Sequence, residues 1–401
     1  MRRNSGVVVA GAIAVIALVA GTLLAFSGFV RASRARDVAE RDAASSQEVT
    51  DFFQEMLSSV QPESARGREI SVREVLDEAA EDLDGRFVDH AEVEAAIRFT
   101  IGNSYQALGD YETALPLLER AVELRREELA PDDPRLIQTL DVLGMVHWLT
   151  GDFERSLQTS QELLDLRGKS LGRDHPDYTQ TLGNLANTYA DAGDLDRAET
   201  LLREALEIER RILTGEDRVD LAYTTNNLAT VLSDQGKFDQ AIAFHLESNA
   251  IRSEMLGKDS PEYIISLNNL GYAYYGAGDL QEAERHLREA VRLGESVFGP
   301  NHLRVASAEV NLAEVIAETG RLEEAESLAR EALASFDESL GESSWRSGSA
   351  HGVLGTILYR AGRLVEAKTE TRLGYEILME SLGPDHPRSK RVSEQMKEFS
   401  R

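Results

Sequence analysis

Eight histidines are the first residues to weigh for chemistry, because imidazole serves both as a metal ligand and as a general base near neutral pH. His90, His147, His175, His245, His286, His302, His351 and His386 include no pair three or four residues apart, so the spacing that sets two zinc ligands on one helical face is absent. The chain has no cysteine, and therefore no thiolate ligand, cysteine nucleophile or disulfide. Gly168-Lys169-Ser170 has the ending of a phosphate-binding loop, but the glycine required five residues earlier is Leu163. Carboxylates are so abundant that pairs such as Glu323-Glu324 say nothing about acid–base catalysis, and no nucleophile stands beside a base in a known signature. The expectation is a protein that is not an enzyme and carries no cofactor and no metal. What remains is recognition chemistry, from asparagine carboxamides that both donate and accept and from aromatic rings with a polar edge.

The elements that position those residues are set by a glycine clock. Gly109, Gly151, Gly193, Gly236, Gly278, Gly320 and Gly362 recur every 42 residues, with one extra residue between Gly193 and Gly236. Each is followed five residues later by a small side chain (Ala114, Ser156, Ala198, Ala241, Ala283, Ala325, Ala367). Each is preceded by seven by another (Gly102, Gly144, Ala186, Ala229, Gly271, Ala313, Gly355). Such a period predicts a solenoid of helical hairpins, in which the small residues let two antiparallel helices approach and the glycine turns the chain. Between hairpins, connectors such as Leu171-Gly172-Arg173-Asp174-His175-Pro176 place a glycine where one helix stops and a proline where the next starts. His175, His302 and His386 share a connector position and read as helix caps. The extra residue falls at 214–219, in a connector, where insertion costs little. Gly348, Gly352 and Gly355 in one first helix predict a locally weak seventh hairpin.

This pattern resembles the tetratricopeptide repeat over Ala91 to His386. The longer unit, with Thr225-Asn226-Asn227-Leu228-Ala229 and Leu267-Asn268-Asn269-Leu270-Gly271, resembles the repeats of kinesin light chains and their bacterial relatives. The resemblance implies an all-α, right-handed superhelical solenoid whose first helices line a concave, peptide-binding groove. Taking the small residue before each glycine as buried, the side chains three before it, one after it and four after it should face that groove. These are Asp141, Met145 and Trp148 in the second hairpin, Asn187 in the third, and Asn226, Thr230 and Ser233 in the fourth. The fifth gives Asn268, Tyr272 and Tyr275, and the seventh gives Thr356 and Tyr359. Asn187, Asn226 and Asn268 could pair with the backbone of an extended peptide, or could join Asn184, Asn227, Asn269 and Asn311 as bonds between neighbouring helices. The related chaperone-binding repeats grip a carboxylate with lysines, and no lysine holds these positions.

The chain of 401 residues carries a formal charge of −27. A nucleic-acid partner is disfavoured, and the excess reads either as solvation or as a preference for basic partner segments. Residues 6–30 are uncharged, lie between Arg2-Arg3 and Arg31, and are long enough to cross a bilayer, which predicts a single-pass anchor in a bacterial inner membrane. Lys and Arg counts favour a cytoplasmic repeat domain. Val49, Phe52, Phe53, Met56, Leu57 and Val60 form an apolar stripe that would cover the open end of the array, and Ser71 to Leu83 reads as the second helix of a degenerate opening unit. Ala65-Arg66-Gly67-Arg68-Glu69 and Arg73-Glu74-Val75-Leu76-Asp77 are similar to the segment after the membrane helix in bacterial membrane serine/threonine kinases, which implies repeats across the membrane from the cytoplasm and leaves the side of the repeat domain open, although no kinase motif is present.

The expected organisation is a basic N-terminus (1–5), a transmembrane helix (6–30), a helical linker with the degenerate repeat (31–90), seven hairpins (91–386) and a C-terminal capping segment (387–401). The expected function is that of a membrane-anchored scaffold for a protein or peptide partner. A regulatory domain working with a separate kinase or transport system is the alternative.

Overall fold

A computed structural model describes residues 46–56 and 71–399, apart from 84, 88, 89 and 385. The apolar stretch 6–30, and with it the expected anchor, lies outside the described residues, as do Leu57, Val60 and Ala65 to Glu69. Among the described residues no helix is long and apolar enough to cross a membrane.

The described chain is all-α. Helix α1 (46–56) and α2 (Val72–Glu81) are followed by seven hairpins: α3 (Ala91–Ala107) with α4 (Tyr111–Glu128), α5 (Pro134–Leu149) with α6 (Phe153–Ser170), and α7 (Pro176–Asp191) with α8 (Leu195–Ile212). Then come α9 (Arg218–Asp234) with α10 (Phe238–Met255), α11 (Pro261–Gly276) with α12 (Leu280–Phe298), α13 (Leu303–Glu318) with α14 (Leu322–Leu340), and α15 (Trp345–Arg360) with α16 (Leu364–Leu382). Helix α17 (Pro387–Glu398) ends the array. Two compact units result, one ending at Leu166 and one beginning at Arg167.

The fifth hairpin shows why this sequence makes these elements. Ser260 caps α11 by accepting from the Tyr263 N–H at 3.3 Å, and Pro261 takes the first helical position, where no N–H is needed. The helix stops because Gly278 adopts φ +83°, which lets the Asp279 N–H reach the Tyr274 carbonyl at 3.0 Å. Asp279 then caps α12 through the Glu282 N–H at 3.1 Å. Between the helices, a Cβ on Gly271 would lie 2.6 Å from Leu287 Cγ and 3.3 Å from the Ala283 carbonyl, so glycine is what allows this approach. Leu287 fills the contact and is fully buried, a contribution of about 1.5–3 kcal/mol. The three connector histidines do cap α7, α13 and α17, each accepting at Nδ1 from the N–H two residues on, at 3.1 to 3.2 Å.

Three buried arginines join one hairpin to the next. Arg125 donates to the Arg135 carbonyl at 2.9 Å and to Thr139 Oγ1 at 2.5 Å. Arg167 makes the same bridge to the Asp177 carbonyl and Thr181, and Arg252 reaches the Glu262 carbonyl at 2.8 Å. The equivalent position between Arg167 and Arg252 is Glu209, which instead accepts from Thr224 Oγ1 at 2.9 Å. The inserted residue of the repeat lies between these two partners, as the 3-10 turn Gly215–Asp217.

In the first unit, Phe52 of α1 is buried beside Phe53 and Phe87 and packs into the cluster of Leu76, Leu83, Val93 and Ile97. At the other end of the second unit, the glycines of α15 are contact positions. A Cβ on Gly348 would press on Ile377 and Leu378 at 3.0 Å, and one on Gly352 would lie 2.8 Å from Val392 of α17. Phe399, just past α17, is buried in the same core as Leu354 and Leu358.

Candidate functional site

The first helices of the second unit carry most of the recognition residues, and the structure divides them into two kinds. Asn226 is buried, and its Oδ1 accepts from Asn269 Nδ2 of the next first helix at 3.4 Å. Asn268 repeats the arrangement with Asn311 Nδ2 at 2.9 Å. Residues −3 and −2 from the small position of successive hairpins therefore form a carboxamide ladder between repeats. The ladder lacks an acceptor opposite Asn227, because the preceding hairpin has Gly183 there.

Other side chains remain on the open face. Thr230 and Tyr272 are exposed, Asn187 and Ser233 are half-buried, and the Tyr272 and Tyr275 rings lie 6.2 Å apart. Tyr275 donates from its hydroxyl to Glu318 of α13 at 3.4 Å, and Arg360 of α15 closes on the same carboxylate at 2.6 Å. Burial, helped by Glu314 and Glu318, pushes the Tyr275 phenol well above its ordinary range, so it stays a donor. Thr356 bonds back to the Gly352 carbonyl at 3.2 Å. Tyr359 is covered rather than open, stacked on Phe399 at 4.2 Å between centroids.

Asp141, Met145 and Trp148 lie on α5 in the first unit. Met145 and Trp148 are exposed, and Asp141 is half-buried. The first unit also has a cleft of about 370 Å³ between α4, α5 and α6, with buried His147 and with Thr159 in its lining. Ion pairs cross its rim, Arg155 to Glu119 at 2.9 Å and Arg126 to Glu162 at 2.6 Å.

Sequence reasoning passed over several residues that belong to the second unit's open face. Glu314 holds the position one after the small residue in the sixth hairpin, and α17 brings Arg391 onto it as an ion pair. Arg388 of α17 and Arg346 of α15 both pack on the indole of Trp345, at 4.7 and 4.4 Å from its centroid. The signal was available, since α17 is basic in an otherwise acidic chain and lies one period beyond α15. The spacing rule that marks outward positions runs from the glycine of each hairpin, and α17 has no such glycine after it.

A model described as "Tetratricopeptide repeat" matches residues 93–167, 143–211, 220–296, 273–338 and 304–377. The chain belongs to the tetratricopeptide-repeat family. No curated protein matches it significantly. Among solved structures it is similar to a Rap protein complexed with Competence and Sporulation Factor, at 15% identity and a TM-score of 0.52, over 88% of this chain and 98% of that one. It is also similar to the apo form of the quorum sensor NprR from B. thuringiensis, at 13% identity and a TM-score of 0.50, over 88% and 99%. A kinesin light chain-like repeat protein of Podospora anserina gives 20% identity and a TM-score of 0.46, over 53% and 99%. At these identities the likeness shows the fold alone.

Within this tetratricopeptide array, Asn268→Ala removes the acceptor of Asn311 in a half-buried contact and is expected to cost about 1 kcal/mol of stability. Asn268→Asp keeps the acceptor and should cost less. Urea denaturation of the two variants measures the difference, and equal losses would mean that the Asn311 bond contributes nothing.

Proposed function

We propose that this protein is a scaffold that binds an extended peptide, or an extended segment of a protein partner, on the open face of the second unit's first helices. The observation that carries this reading is the set Asn187, Thr230 and Tyr272 on α7, α9 and α11, the first half-buried and the other two exposed. There, polar side chains and a ring reach the open face on successive first helices, and the carboxamide ladder joins α9 to α11 and α11 to α13. Aromatic rings with polar edges suit peptide contact because they bury area at small entropic cost. The similar fold of a Rap protein crystallised with Competence and Sporulation Factor supports the same use of such an array. The apolar run 6–30 supports attachment to a membrane, with the repeats on the side favoured by the Lys and Arg count.

The test is peptide display against the full chain, followed by affinity measurement with Tyr272→Ala and Asn187→Ala combined. Both positions lie off the core, so thermal unfolding should be nearly unchanged while affinity for a selected peptide falls at least tenfold. Selected peptides that bind the double variant as tightly as the parent would place the recognition surface elsewhere.

A further inference from the structure

The second unit is rich in arginine, and its arginines are almost all neutralised. Among its described residues each has a carboxylate within 4.0 Å, with two groups of exceptions. Arg167 and Arg252 are the buried bridges between hairpins, held by carbonyl oxygens. The others are Arg304, Arg346 and Arg388, each the second residue of its helix in α13, α15 and α17, and spaced 42 residues apart. Carboxylates outnumber cations in this chain by 70 to 43, so three equivalent guanidiniums without an ion-pair partner among the described residues are not explained by a shortage of acids.

All three also lie over aromatic rings. The Trp345 indole carries both the Arg346 and the Arg388 guanidinium, an arrangement that fixes planar donors while leaving their N–H edges for another group. Arg304 lies over Phe298 at 5.3 Å in the same way. Arg346 is half-buried, and desolvation lowers its pKa, with no acid among the described residues acting to restore it. Desolvation is the largest influence on Arg388 and lowers its pKa, Tyr272 and Asp234 act against it without an ion pair, and Arg391 beside it is committed to Glu314. Two guanidiniums confined together repel each other, and an incoming anion relieves that cost. A carboxylate is matched to this geometry because each guanidinium offers two parallel N–H donors.

We propose that the edge formed by the first turns of α13, α15 and α17 docks an acidic peptide segment. One carboxylate sits between Arg346 and Arg388, on the side away from Asp234, and the segment continues toward Arg304. This rests on the peptide-binding reading of the second unit and fixes the chemistry of the ligand. The net negative charge of the chain does not forbid it, since at physiological salt a charge more than about 8 Å away is largely screened, and the contact itself is with three cations.

The probe is a fluorescein-labelled (Glu-Gly)5 peptide, with (Lys-Gly)5 of the same length for comparison, measured by anisotropy against the full chain in detergent. The acidic peptide should bind more tightly than the basic one. Arg346→Glu with Arg388→Glu should weaken it at least tenfold. Arg218→Glu with Arg372→Glu, the same change of charge elsewhere in the unit, should weaken it less than twofold. The milder pair Arg346→Gln and Arg388→Gln should give an intermediate loss, which guards against misfolding of the reversed variant. Tighter binding of the basic peptide, or equal losses in the two reversal variants, overturns the proposal. If a display-selected peptide still depends on Tyr272 under those results, the groove reading stands and only the arginine edge falls.

Discussion

Gly374→Ala is expected to destabilise the end of the array by about 2–4 kcal/mol, a large effect for one methyl group. Gly374 lies in α16 where that helix crosses α15, and a Cβ there would be 2.6 Å from the Gly348 carbonyl oxygen and 3.1 Å from the Gly352 nitrogen. Both neighbours are backbone, so no rotamer change can make room, and the helices must separate. Separation would also pull the buried Leu354, Leu358 and Leu378 apart. Gly183, in the interior of α7, is the matching control: its Cβ position has nothing within 4 Å, and alanine there should gain up to about 1 kcal/mol from helix propensity. Hydrogen exchange read separately over 345–382 and 176–212 would show the first segment losing protection and the second gaining it. Equal protection in parent and Gly374→Ala would show that α15 and α16 move apart without penalty.

Glu309→Gln and Glu209→Gln are each expected to raise stability by about 1–3 kcal/mol at pH 8 and to change little at pH 5. Both carboxyls are buried, and burial pushes each up to about 7, with Glu331 and Glu295 adding to the effect at Glu309. Their Oε2 atoms have no hydrogen-bond partner. A carboxyl whose folded pKa lies above its unfolded value binds more protons when folded, so stability falls as pH rises from about 4.5 through 7. The full cost is present above that window and absent below it. Glutamine removes the charge, so the difference between variant and parent should grow with pH in guanidinium denaturation. A difference of the same size at pH 5 and pH 8 would refute the assignment to ionisation.

The hairpins were legible in the sequence because each depends on a local rule repeated at fixed spacing. Gly278 must turn, Asp279 must cap, and Gly271 must lie under Leu287, and all three follow from the 42-residue period. The face carrying Thr230 and Tyr272 followed from the same helical arithmetic. Other features were not legible because they depend on contacts between repeats or on the end of the array. Asn226 and Asn268 satisfy the rule for an outward position, yet each is drawn into a bond by the helix that follows. Tyr359 likewise faces outward by spacing and is covered only because Phe399 arrives from α17. The Trp345, Arg346 and Arg388 cluster joins residues from two helices whose approach no periodicity measures.

The bridges between hairpins are unequal, and that bears on how the second unit responds to load. At α6–α7 and α10–α11 an arginine ties the end of one hairpin to the first turn of the next, as a staple that resists stretching along the array. At α8–α9 the staple is replaced by Glu209, which accepts from Thr224, and the connector is one residue longer. That junction is more compliant than the two stapled ones. Its stiffness is also set by a proton, because above about pH 7 the buried carboxylate favours admitting water and opening the joint. A partner that pulls on the array would therefore open this junction before the two arginine-stapled ones, and would do so at lower force in alkaline than in mildly acidic conditions.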